Sequence, residues 1–302
     1  MSLPREVIPG RVYLVTRRCT QRQLLLRPDD ETNNAFVYCL AYAAGKSGLD
    51  IIAFVANANH YHAVVVDTDG RIPTFLEIFH KLLAKHQNAL RGRWENFWAT
   101  EPTSLVELVG PDDIIAKIVY TLTNPVKDGM VETADEWPGA ISLAATLEGK
   151  TLVAERPSTF FRATGKMPNS LELRCVPPPT ITDSAQHDFR KSLAAAIKDA
   201  EKVAARERQR SGMSVLGREA ILAQSPFSQP RSFERRRGLD PKIAARDTEP
   251  RLEAIVRLKT FHAAHKTARE GWLVGQDVVF PFGTWKLRAF ASVARAPSFS
   301  TV

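Results

Sequence analysis

Cysteine is scarce in this chain: Cys19, Cys39 and Cys175 are the only three in 302 residues. They are odd in number and widely spaced, which suits neither a disulfide framework nor a Cys-x-x-Cys metal site; idle or buried thiols in a reducing compartment fit better. Long apolar runs are missing too. No stretch approaches the ~18 residues of a membrane span, and the first residues hold no apolar signal core. A cytoplasmic protein without membrane association is expected. There is no internal repeat.

What is present is ordinary globular composition, 44% hydrophobic and 25% charged, and a chain long enough for two modest domains or one large one. The net charge of +8 is uneven: −3 over residues 1–150 and +11 over residues 151–302. A basic half faces a polyanion such as nucleic acid, or it is simply a solubilising surface; composition alone leaves both open.

Hydropathy period divides the first half into β-α-β-β-α-β-α. Residues 11–19 alternate as a strand. Asp29, Asp30, Glu31 and Thr32 signal a helix start, and the apolar period from Asn33 to Ala44 closes at Gly45. Residues 49–56 and 60–66 read as a strand pair. Residues 72–90 have helical spacing, 104–109 a further strand, and Pro111, Asp112 and Asp113 open a helix that Pro125 and Gly129 end. The economical arrangement is an α+β fold: a ferredoxin-like antiparallel sheet with helices on one face. Residues 146–186, containing Pro177, Pro178 and Pro179, read as an irregular linker. Residues 187–302 read as a basic, mostly helical accessory region. It holds helices over 188–210, 216–223, 232–247 and 252–269, and a terminal hairpin turning at Phe282 and Gly283.

The chemistry concentrates at two places. His60, Tyr61 and His62 begin the second strand of the pair. Alternation puts His60 and His62 on one face and Tyr61 on the other. Two imidazoles so placed can share one divalent cation; two hydrogen-bonded core histidines are the plainer reading of the same pattern. Tyr120 and Asn124 are four apart in a helical pattern, hence on one face. Together the two stretches offer a metal, an oxygen ligand and a phenolic nucleophile, whereas a lone helical tyrosine would belong to a core.

The conjunction resembles a known family. His60, Tyr61 and His62, followed by Tyr120, Asn124, Pro125, Val126, Gly129 and Val131, are similar to the motifs of the single-tyrosine HUH transposases, nearest the REP-associated tyrosine transposase branch. Trp137 and Pro138 fit that branch's ending, and the resemblance spans residues 8–145 within a catalytic domain of residues 1–145. It implies that His60, His62 and Asn124 bind Mg²⁺ or Mn²⁺. It implies that Tyr120 attacks a DNA phosphate, leaving a 5′-phosphotyrosyl link and a free 3′-hydroxyl. The substrate would be single-stranded DNA or hairpin ends, handled by a monomer or homodimer. Two departures stand out: Asn57, Ala58 and Asn59 precede the first histidine where relatives carry a proline or acid, and Tyr61 replaces a smaller residue. Tyr61 is assigned to the core. A replication initiator or relaxase-type nickase, and a non-catalytic DNA-binding protein, are the competing functions.

The basic half offers Arg206, Arg208 and Arg210, then Arg231, Arg235, Arg236 and Arg237, as phosphate contacts. The joint between the 216–223 and 232–247 helices is long for a helix-turn-helix. His262 and His265, three apart, read as surface residues.

Overall fold

The computed structural model describes residues 3–230, 241–291 and 293–297. Four strands lead the chain: β1 (Arg11–Arg18), β2 (Asp50–Ala56), β3 (His60–Asp67) and β4 (Ser104–Leu108). Helix α1 (Asp30–Ser47) links β1 to β2, and α2 (Ile72–Leu90) links β3 to β4. The sheet order is β2-β3-β1-β4, all antiparallel, the arrangement expected of a ferredoxin-like β-α-β-β-α-β unit. The fold is α+β, as the period of the sequence predicts.

Strand alternation sorts the side chains into two cores. Tyr13 and Val15 of β1 join Tyr61, Ala63 and Val65 of β3 beneath α1 and α2. Val12, Leu14, Val64 and Val66 point the other way. Helices therefore cover both faces. The second is closed by α3 (Pro111–Leu122), through Ile114, Ile118 and Leu122, and by the long helix α6 (Gln186–Ser211), through Phe189, Leu193 and Ile197. The four-residue spacing of each apolar triplet keeps it on one stripe.

Helix α1 starts where its signals predict: Asp29 caps it, accepting from the Thr32 amide at 2.8 Å. It passes through Gly45 and ends at Gly48, whose φ of +65° is the left-handed conformation a C-terminal glycine supplies. A Cβ there would also lie 2.3 Å from Asp69 Oδ2. After α3, the short helix α4 (Asn124–Lys127) restarts beyond Thr123, because Pro125 has no N–H to continue the ladder. Helix α5 (Leu143–Glu148) follows.

Three further expectations are corrected. Residues 146–186 are not wholly irregular: β5 (Leu152–Glu155) and β6 (Ser170–Leu173) form an antiparallel pair beside α1. After α7 (Arg218–Ala223), residues 231–240 lie outside the described residues. Residues 241–247 contain no helix; instead β7 (Ile243–Ala244) adds a parallel strand to β4. The terminal segment is not a hairpin. It forms isolated bridges, Phe280 with Arg295 and Thr284 with Glu6, around α9 (Lys286–Ala291).

Helix α8 (Thr248–Leu273) is tied to the sheet by charge. Arg257 donates to both Glu107 carboxylate oxygens, at 2.9 and 2.6 Å, and Arg11 donates to buried Glu6 at 2.7 Å. The outer edge of β2 is occupied by residues 140–142 and by Val176, which donates to Ile51 O. Among the described residues no helix is long and apolar enough to cross a membrane.

Candidate active site

The register of β1 against β3 sets His60 opposite Arg18 and His62 opposite Thr16, all four on the α3 side of the sheet. The imidazole rings of His60 and His62 are 4.9 Å apart, edge to face. Thr16 Oγ1 lies 2.7 Å from His62 Nδ1, and Asn59 Oδ1 lies 2.7 Å from His60 Nδ1. Both histidines thus have the Nδ1 side engaged by an oxygen, the pattern that turns Nε2 toward a ligand. His62 Nε2 is buried without a hydrogen-bond partner among the described residues. Burial, then His60, Lys117 and Arg18, hold His62 well below the usual imidazole range, so the ring is neutral and able to bind a cation.

Tyr61 goes the other way. It is wholly buried, its hydroxyl 2.6 Å from His80 Nε2, and burial raises its pKa far beyond the ordinary phenol value. The tyrosine between the histidines belongs to the core.

Helix α3 delivers Tyr120 to the same place, its ring centroid 5.1 Å from that of His62. Asn124, one turn on at the start of α4, is buried and accepts from Asn57 Nδ2 through Oδ1. Asn57 Nδ2 also lies 3.0 Å from His60 Nε2. One amide NH₂ therefore sits where acceptor atoms of His60 and Asn124 converge. A single positive centre placed there would meet both, with the orphaned His62 Nε2 nearby. On this donor set the residues fit a divalent cation. A histidine pair with one amide oxygen offers three donors to a divalent cation and leaves positions for phosphate oxygens. Among the described residues no three His, Cys, Asp or Glu side chains cluster; the further donor beside the two imidazoles is the Asn124 amide oxygen.

The tyrosine stands in a cationic setting. Lys127 Nζ is 5.1 Å and Lys117 Nζ 5.4 Å from the Tyr120 ring centroid. Half-burial raises the Tyr120 pKa and Asp128 adds to the rise, while Arg18 and the Asn124 amide oppose it. Desolvation beside the ring, and Lys117, push Lys127 down.

Sequence reasoning assembled His60, His62, Tyr120 and Asn124, and the fold brings all four together. It missed Thr16, because register between strands is not written in either strand. Lys117 and Lys127 lie three before and seven after Tyr120, a helical spacing that could have found them.

The arginines of the basic half divide. Arg206 and Arg210 are exposed on α6. Arg208 is buried, donating to the Val126 carbonyl at 3.0 Å and to the Glu132 carboxylate, so it braces α4 and is withdrawn from any ligand. Arg231, Arg235, Arg236 and Arg237 lie outside the described residues. His265 corrects its expectation: it is buried, its ring 5.3 Å from that of Phe280, while His262 Nε2 lies 3.1 Å from Pro4 O.

No protein-family model matches the chain, and no curated protein does. Several solved structures are similar to part of it, two of them as follows. Both are of transposases. One is a REP-associated tyrosine transposase bound to a REP hairpin, 19% identical at a TM-score of 0.40 over 47% of this chain and 82% of that one. The other is a candidate transposase from Deinococcus radiodurans R1, 18% identical at a TM-score of 0.30 over 41% of this chain and 97% of that one.

Proposed function

We propose that the protein is a transposase that cleaves and rejoins single-stranded DNA, at hairpin-bearing ends, through a covalent link to Tyr120. The observation that carries this reading is one point of convergence: two imidazoles, an amide oxygen and a phenol, reached from a strand and from helical residues far apart in sequence.

The Tyr120 hydroxyl loses its proton to solvent and its oxygen bonds to phosphorus as the bond from phosphorus to the 3′ oxygen breaks. The 3′ oxygen of the released strand takes a proton from Lys127, the ammonium beside the ring whose pKa is lowered, and solvent reprotonates that lysine. Arg18 and Lys117 face the charge on the phosphate. A divalent cation on His60, His62 and Asn124 would supply further neutralisation of the nonbridging oxygens. Because the phosphoryl bond is retained as an ester, attack by a 3′-hydroxyl reverses the step without ATP.

The test is a labelled single-stranded hairpin oligonucleotide incubated with the protein and Mn²⁺, then resolved under denaturing conditions. The wild-type protein is expected to give a slow-migrating adduct. Tyr120→Phe is expected to bind the oligonucleotide and give none. An adduct from Tyr120→Phe removes the phenol from its role.

A further inference from the structure

Arg17 is the odd member of the β1 end. Its neighbours Thr16 and Arg18 face the histidines, so alternation turns Arg17 to the opposite side, beneath α2. There it lines an open cleft of about 390 Å³ with Arg5, Lys81, Trp98 and Glu77. Its guanidinium carbon lies 5.4 Å from the Trp98 ring centroid, and Nη1 donates to His80 Nδ1 at 2.7 Å. Since Nδ1 accepts, the His80 proton is on Nε2 and goes to the Tyr61 hydroxyl, 2.6 Å away. Burial and the neighbouring Arg17 and Arg5 hold His80 well below the usual imidazole range, so the ring adds no charge.

The guanidinium is thus fixed by an aromatic ring and a neutral histidine. It has no ion pair with a carboxylate among the described residues, and its Nε is buried without a partner. A clamped, half-buried guanidinium without a carboxylate hydrogen-bond partner keeps donor capacity for an anion, with Glu77 the one acidic residue among the described residues lining the cleft. Lys81 is exposed on the same wall. The cleft also borders Thr103, the residue before β4, so it opens at the end of the sheet where His60 begins β3. The cleft and the active site therefore lie on opposite faces of the sheet at the same end of β1 and β3.

We infer that the Arg17 cleft is a second phosphate-binding site, taking a backbone phosphodiester of the DNA strand whose scissile phosphate lies at Tyr120. Trp98 supplies a ring edge for the adjoining sugar or base, and Lys81 supplies the outer charge. The assignment rests on the DNA reading of the main site, and its test separates the two.

A fluorescein-labelled 20-nucleotide single strand is titrated with wild-type protein, Arg17→Gln, Arg17→Lys and Lys81→Gln across a salt series, and adduct formation is scored in parallel. Loss of one phosphate contact lowers the slope of log affinity against log salt by about 0.7. Arg17→Gln and Lys81→Gln are each expected to show that drop, with roughly fivefold weaker binding at low salt, while Arg17→Lys keeps the slope. Lys81→Gln changes an exposed side chain and so guards against a folding artefact. Unchanged slopes in both glutamine variants, with wild-type adduct formed, sink the second site alone. Lowered slopes without any wild-type adduct support the phosphate site and sink the phosphotyrosine reading. A wild-type protein that does not bind the strand overturns both.

Discussion

Thr16 engages one nitrogen of His62 and leaves the other bare, so loss of the ring is felt by a cation before it is felt by the fold. Asn57 sharpens the point. Its amide NH₂ lies at the convergence of His60 and Asn124, a donor in the place where a cation wants acceptors. Asn57→Asp puts an acceptor and a negative charge there. Calorimetric titration with Mn²⁺ is expected to show binding tightened by about tenfold in Asn57→Asp, on the scale of one added charged ligand, and abolished in His62→Ala. Weaker binding in Asn57→Asp would mean that the cation, if bound, sits elsewhere. At this scale the sequence told much: the histidine pair, the phenol and Asn124 stood out by type and spacing. What it withheld was contact across strands, so Thr16 and the position of the Asn57 amide had no local signature.

Helix α6 reaches the site through Arg208. Arg208 spends its charge on the Val126 carbonyl and on Glu132, holding the α4 turn that carries Asn124. Arg208→Ala removes charged hydrogen bonds worth about 2 kcal/mol, while the Val126 carbonyl keeps the Gly129 amide at 3.1 Å. Urea denaturation is expected to show a loss of that order. Adduct formation is expected to slow in the variant even where it remains folded, and normal rates would detach α6 from the site. The elements themselves were legible where burial is one-sided. β1 to β4 and α1 to α3 each bury a face, so their period is written in the sequence. The pair β5 and β6 buries little beyond Ala154 and Leu173, and β7 is two residues long, held by its pairing with β4. Nothing local marks such strands. Gly45 looked like the end of α1 because glycine ends helices often; the apolar face in fact continues through Ala44 to Ser47, and Gly48 has the left-handed backbone.

The molecule as a whole should be sensitive to acid. His86 is fully enclosed, near Phe161 and 3.7 Å from Glu31, and burial pushes its pKa down to about 4 despite that carboxylate. A depressed folded value means the unfolded chain takes up the proton first. The stability tied to a neutral His86 is therefore full above pH ~6.5 and is lost as pH falls toward 4, by about 3 kcal/mol for this one group. His62 and His80 shift in the same direction. Urea midpoints are expected to fall across that window, and less so in His86→Leu; a flat profile would mean His86 is protonated in the native protein.

Both borders of the main sheet are occupied by the chain itself. Residues 140–142 and Val176 take the outer side of β2, and β7 with Lys242 takes the end of β4. Unpaired backbone at a sheet border is what recruits a foreign strand, and along these stretches of β2 and β4 it is already paired. Docking by strand addition, with a second copy or with an extended peptide, is closed to this protein along those stretches. Along those stretches a partner meets side chains and helices, not free strand backbone.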